Sequence, residues 1–133
     1  MKKIIISTLI CLFTYAFSFG QSQVDLNQQA SADYKKSEKE INLVYQSILK
    51  EYSSDTEFIK NLKTAQRLWI QFRDAQVKAK YPDRTQGYYG SVHPMCVSIY
   101  LTQLTNDRIK TLTVWLTGIE EGEVCSGSVK IKQ

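Results

Sequence analysis

Residues 54–80 read SDTEFIKNLKTAQRLWIQFRDAQVKAK, and they carry a clear helical pattern. Its apolar residues recur at steps of three and four, which places their side chains on one face of an α-helix. They are Phe58, Leu62, Ala65, Trp69, Phe72 and Val77. Ser54 and Glu57 form a capping-box pattern at the start of this helix. Tyr81-Pro82 ends it, because the residue before a proline disfavours helical backbone angles.

The segments on either side continue the helical periodicity. Upstream, residues 25–52 carry apolar residues at the same steps, and the charged residues between them are expected to face water. Downstream, a third helix begins at Ser91 or His93 and stops at Gly118, a residue type that commonly ends helices. Short connections favour antiparallel neighbours. The sequence therefore predicts an all-α protein, an elongated antiparallel three-helix bundle followed by a polar tail, residues 119–133.

Length and composition narrow the class of protein further. The chain has 133 residues, which is room for one domain and not two. Hydrophobic residues make up 43% and charged residues 23%, so collagen-like, low-complexity and fully disordered chains are excluded. His93 is the single histidine, which leaves little room for a histidine-built metal site or catalytic site.

The first 20 residues have the layout of a secretory signal peptide. Two lysines follow Met1, an apolar run extends to Phe17, and the small residues Ser18 and Gly20 occupy the positions that signal peptidase reads. The expected cleavage follows Gly20, so the protein is expected to be periplasmic or secreted. The alternatives are an uncleaved membrane anchor, for which the apolar run is short, and a lipoprotein attached through Cys11, which has no small residue before it.

Removal of the signal peptide changes the charge balance. The full chain has 17 basic and 13 acidic residues, and loss of Lys2 and Lys3 leaves 15 basic residues and a net charge of +2. That charge is too weak to indicate nucleic-acid binding, and no basic block supports such a function. After cleavage no membrane span is expected.

Sequence motifs for catalysis are absent. The chain has no glycine-rich phosphate loop, zinc-type cysteine spacing or nucleophile elbow. We therefore expect no catalytic residues, no metal site and no cofactor. The alternative is an enzyme in which Cys96, close to His93 at a helix start, is an activated thiol.

Cys96 and Cys125 remain after signal cleavage, and an even pair in an exported protein favours a disulfide. The chain between Cys96 and Cys125 is barely long enough to bring the two cysteines together. The helix from Cys96 to its end at Thr117 is about 32 Å long. The eight residues onward to Cys125 span at most about 27 Å. A bridge within one chain therefore needs a tail that runs back along the helix. Otherwise the helix is shorter or bent, or the bridge is strained or joins two chains.

Two arginines lie on apolar helix faces. Arg73 shares a face with Trp69, and Arg108 lies on the core stripe of the third helix. A buried arginine needs partners, because an unpaired buried charge is costly. The candidate partners are Asn42, Asp74, Glu40 and Asp107, with Trp69 as a cation–π surface. We predict a polar network of Asn42, Trp69, Arg73, Asp74 and Arg108 that fixes helix register. A ligand-binding role for the arginines is the alternative.

Residues 65–74, AQRLWIQFRD, resemble the central signature of the LprI-like lysozyme inhibitor family. The other similar positions are Ile41-Asn42, Tyr45, Gly90-Ser91, Cys96, Leu104-Thr105, Arg108 and Leu112. The resemblance covers residues 25–116. It implies a small exported helical domain, often disulfide-bonded, in a family named for a member that inhibits lysozyme. It divides the chain into a signal peptide (1–20), the helical domain (21–118) and the tail (119–133).

The cysteines depart from the family pattern. Many members have a cysteine where this chain has Val77, and often another where it has Gln28-Gln29. The resemblance therefore leaves Cys125 as the partner for Cys96 within the mature chain. The resulting expectation is a bundle whose C-terminal tail is tethered by a disulfide.

The resemblance also sets the functional hypothesis, an exported binding protein that inhibits lysozyme-type muramidases. The loop between the second and third helices is the candidate contact surface, because tyrosine and arginine are favoured anchors in interfaces. Its candidate binding residues are Arg84, Tyr88, Tyr89, Ser91 and His93. The alternative is an envelope module that binds another protein and inhibits nothing.

Overall fold

The computed structural model describes the backbone of residues 2–132 and the side chains of residues 22–132. Three helices follow one another: α1 (Lys2–Glu51), α2 (Thr56–Lys80) and α3 (His93–Thr117). Residues 2–132 contain no β-strand, so the all-α prediction is confirmed. The side chains of the predicted signal peptide lie outside the described residues. Among the described helices, none is long and apolar enough to cross a membrane.

The helices run up, down and up. At one end of the molecule, Asn27 of α1 donates a hydrogen bond to the carbonyl of Ser91, 3.1 Å away. At the other end, the Tyr52 hydroxyl donates to the carbonyl of Trp115, 2.8 Å away. α1 and α3 are therefore parallel, and α2 runs antiparallel to both. The closest helix packing is between α1 and α3.

The core lies in the half of the bundle nearest the turn between α1 and α2. Its buried apolar residues are Ile41, Ile48, Leu62, Ile109 and Leu112. Aromatic side chains close this end, since Phe58 of α2 lies 4.9 Å from Tyr52 and 5.9 Å from Trp115 between ring centroids. The three helices thus share one hydrophobic core.

The start of α2 differs from the predicted capping box by one residue. The backbone turns through a hydrogen bond from Asp55 N to Tyr52 O. This turn makes Asp55 the N-cap, and its carboxylate accepts from the amide of Phe58 at 3.0 Å. The capping role predicted for Ser54 is therefore wrong, because an aspartate directly follows it in the position that faces the free amides.

The C-terminal tail closes on itself beside the end of α3. Ile119 pairs with Ile131 in an isolated parallel bridge, and the amide of Ile119 donates to Lys130 O. Lys130 contacts α1, since its ammonium pairs with Glu51 and its amide donates to the Tyr52 hydroxyl. The tail therefore stays at the end of the bundle where α3 ends.

The disulfide-tethered tail is a wrong prediction, because Cys96 and Cys125 are both free. Cys96 lies in the first turn of α3, and the tail holds Cys125 beyond the opposite end of that helix. The helix between them is about 32 Å long. A disulfide requires Cα atoms less than about 7 Å apart. The tail would have to run back along α3 to meet that requirement, and its contacts with α1 and with itself prevent this.

Candidate functional site

The connection between α2 and α3 contains four of the five predicted binding residues, and the fifth, His93, is the first residue of α3. It is built from successive tight turns, with hydrogen bonds from Tyr88 N to Thr85 O and from Gly90 N to Gly87 O. Gly87 and Gly90 have φ angles of 83° and 69°, in the left-handed region that residues with a Cβ atom rarely adopt. The two glycines therefore let the chain wind into a compact loop around the tyrosines.

An aromatic cluster forms the base of this loop. The Tyr89 ring stacks on the His93 ring with centroids 4.5 Å apart. The Tyr81 ring meets both edge-on, 5.8 Å from Tyr89 and 5.3 Å from His93. The Tyr89 hydroxyl donates to the carbonyl of Pro82 at 2.8 Å. Stacking and this hydrogen bond fix the loop to the start of α3.

The outer surface of the loop carries Tyr88 and Arg84. The Tyr88 side chain is 65% exposed, and the Arg84 guanidinium carbon lies 5.9 Å from its ring centroid. Ser91 is exposed, and its carbonyl is held by Asn27. A recess of about 240 Å³ is lined by Arg84, by Tyr88 and by the rings of the aromatic base. The five residues therefore divide by position: Arg84 and Tyr88 face solvent, while Tyr89, Ser91 and His93 attach the loop to the bundle.

The structure brings both arginines of the predicted polar network to Trp69. The guanidinium carbons of Arg73 and Arg108 lie 5.4 Å and 5.9 Å from the centroid of the Trp69 ring. Arg73 also forms ion pairs with Asp74 at 2.9 Å and with Glu38 at 3.8 Å. Arg108 donates from Nε to the Gln66 side-chain oxygen at 3.1 Å. Burial lowers the pKa of Arg108.

Asn42 does not take part in this arrangement. Its side chain is exposed, and among the side chains described here it makes no hydrogen bond to either arginine. Glu40 is exposed as well. The helix face of α1 that approaches α2 carries Tyr34 and Glu38 instead.

Three polar residues near the arginines were missed by the sequence analysis: Tyr34, Glu38 and Gln66. Gln66 lies on the apolar stripe of α2 between Leu62 and Trp69. A glutamine on an apolar helix face indicates a polar partner on a neighbouring helix. Tyr34 donates its hydroxyl to Glu38 at 2.7 Å. Burial, together with that hydrogen bond, raises the pKa of Tyr34 to about 12.

The raised pKa of Tyr34 predicts a loss of stability at alkaline pH. The folded protein keeps the phenol neutral up to about pH 12, whereas the unfolded chain releases the proton near the ordinary value of 10.0. The folded state therefore binds more protons between those values, and its stability falls as the pH rises through them. We expect unfolding in urea between about pH 9 and about pH 12 to show a smaller loss for Tyr34→Phe than for the parent. Equal losses in the two proteins would contradict this assignment.

Comparisons with known proteins identify the family of the chain. The family described as "Lysozyme inhibitor LprI" matches residues 18–112, which is most of the chain. An uncharacterized protein of Rhizobium meliloti (strain 1021) is 35% identical over 103 residues, which cover 68% of this chain and 71% of that protein. No solved structure matches. The family match spans all of α2, the loop and most of α3, so the chain belongs to the LprI lysozyme inhibitor family.

Proposed function

We propose that the protein is exported and inhibits lysozyme-type muramidases through the loop of residues 81–93. Family membership supports an inhibitory role, since the family is described by lysozyme inhibition. The observation that carries the loop assignment is the exposed pair Tyr88 and Arg84 on a fixed aromatic base. Cleavage after Gly20 would release residues 21–133 into the compartment where muramidases act.

The chemistry of the loop suits a muramidase cleft. These enzymes use two carboxyl groups in a groove that binds the sugar chain. The Arg84 guanidinium offers planar paired donors that match a carboxylate, and Tyr88 offers a large, rigid contact with one hydroxyl. The base of Tyr81, Tyr89 and His93 orders the loop before binding, which lowers the entropy lost on association.

The test is the lysis of a peptidoglycan suspension by lysozyme in the presence of increasing amounts of the protein. The parent is expected to slow lysis in a dose-dependent manner. Tyr88→Ala and Arg84→Ala are each expected to raise the concentration needed for half-inhibition about tenfold or more, because interface anchors of these types contribute about 2 kcal/mol. Arg67→Ala is the matched control, since Arg67 is an exposed arginine of α2 outside the loop.

Two results would count against the proposal in different ways. Loop variants that inhibit as strongly as the parent would show that another surface contacts the enzyme. A parent that leaves several types of lysozyme unaffected would instead favour the envelope module, and recovery of a different partner from envelope extract would support it.

A further inference from the structure

A second surface, far from the loop, lies between α2 and α3 at the end of the bundle where α3 ends. This groove has a volume of about 520 Å³, within the usual range for small-molecule sites. Its apolar walls are Phe58 and Trp115, and the buried Leu62 and Leu112 lie beneath them. Ala65 also lines it and has a small side chain, which leaves the groove open on the α2 side.

Arg108 lies at one end of the groove with most of its donors unused. Its Nε atom donates to Gln66, which leaves both terminal nitrogens of the guanidinium available. Among the residues that the structure describes, no carboxylate lies within ion-pair distance of Arg108. Arg73, the other arginine beside Trp69, has two such partners. A half-buried guanidinium without a counter-ion is an attractive site for a carboxylate.

The other end of the groove is acidic. Asp55 and Glu57 line it beside the first turn of α2. Ala65 lies eight positions after Glu57, which corresponds to about 12 Å along the helix. It is adjacent in sequence to Gln66, the hydrogen-bond partner of Arg108. An extended peptide spans about 3.3–3.6 Å per residue, so three or four residues cover that length.

We propose that this groove binds a short peptide of three or four residues with free ends. The C-terminal carboxylate pairs with Arg108, and the N-terminal ammonium lies near Asp55 and Glu57. Apolar side chains of the peptide pack on Phe58 and Trp115. This site is at the opposite end of the bundle from residues 81–93, so it does not depend on muramidase inhibition.

The probe is a leucine–alanine–leucine tripeptide, compared with its C-terminal amide and its N-acetyl form. Binding is measured by calorimetry and by the emission of the chain's two tryptophans, since Trp115 lines the groove and Trp69 lies next to Arg108. The free tripeptide is expected to bind saturably. The amide is expected to bind about tenfold or more weakly, because it lacks the negative charge that pairs with Arg108. The acetylated form is expected to be weakened less, since Asp55 and Glu57 are exposed.

The variants test the assignment of Arg108. In Arg108→Gln the free tripeptide and its amide are expected to bind equally weakly, whereas Arg67→Gln should keep the parent's preference for the free acid.

Ala65→Phe tests the groove itself. The phenylalanine fills the groove from the exposed face of α2 and should abolish binding without a change in melting temperature. This variant keeps the test valid even if Arg108→Gln unfolds. The proposal is overturned if the parent binds acid and amide equally, if neither binds at millimolar concentration, or if folded Ala65→Phe binds like the parent.

Discussion

Replacement of Leu112 by alanine is expected to lower the free energy of unfolding by about 3–4 kcal/mol. The Leu112 side chain is 0% exposed and lies in the core cluster with Ile48, Leu62 and Ile109. The substitution removes buried apolar surface and leaves a cavity where α1, α2 and α3 meet, and both effects destabilise the folded state. Urea unfolding followed by far-UV circular dichroism measures the change.

Leu43→Ala is the matched control, because Leu43 belongs to α1 but its side chain is 61% exposed. The same chemical change at this position is expected to alter the free energy of unfolding by less than about 0.5 kcal/mol. Similar losses of unfolding free energy at Leu43 and Leu112 would mean that the hydrophobic core does not lie around Leu112.

Gly118→Ala is expected to cost about 2–3 kcal/mol and to detach the tail. Gly118 ends α3 with a φ angle of 75° and a ψ angle of 175°, a region essentially restricted to glycine that costs a residue with a Cβ atom about 1–3 kcal/mol. A Cβ atom there would also lie 2.9 Å from Lys130 O and 3.2 Å from Lys132 N, the atoms that pair the tail with Ile119. Because those neighbours are backbone atoms, the tail itself must move.

The readout combines urea unfolding with proteolysis of the tail, which should become faster as its contacts with Glu51 and Tyr52 are lost. Gly122→Ala is the control, since Gly122 has a φ angle of 91° but open space around its Cα atom. The Gly122 variant therefore meets the cost of a positive φ angle without a close neighbour, and we expect a smaller loss there than at Gly118. Equal losses would show that the tail does not pack against Gly118.

Much of the fold was predictable because helix signals are local. The step of three and four in residues 54–80 predicted α2, and Pro82 and Gly118 marked the ends of α2 and α3 correctly. The disulfide was mispredicted because cysteine parity and an oxidising compartment carry no information on position. The path of the tail depends on pairing between Ile119 and Ile131, which follows no sequence pattern of its own.

For the candidate site, too, local features were predictable and contacts between distant residues were not. Arg84, Tyr88, Tyr89, Ser91 and His93 are close in sequence, so a shared loop was expected. Which of them face solvent depends on the stacking of Tyr89 on His93, a contact set by the angle at which the chain enters α3. The partners of the arginines, such as Glu38 for Arg73, depend on how α1 and α2 are rotated about their axes, which periodicity alone does not fix.

The parallel pairing of α1 with α3 has a consequence for how the chain reaches its native state. The most extensive helix packing joins segments far apart in sequence, since Tyr52 meets Trp115 across 63 residues. Closing a loop of that length costs about 4 kcal/mol of chain entropy before any contact compensates for it. Proteins dominated by such distant contacts fold more slowly than helical bundles built from sequence neighbours. We therefore expect the meeting of α1 and α3, rather than the formation of α2, to limit the rate of folding.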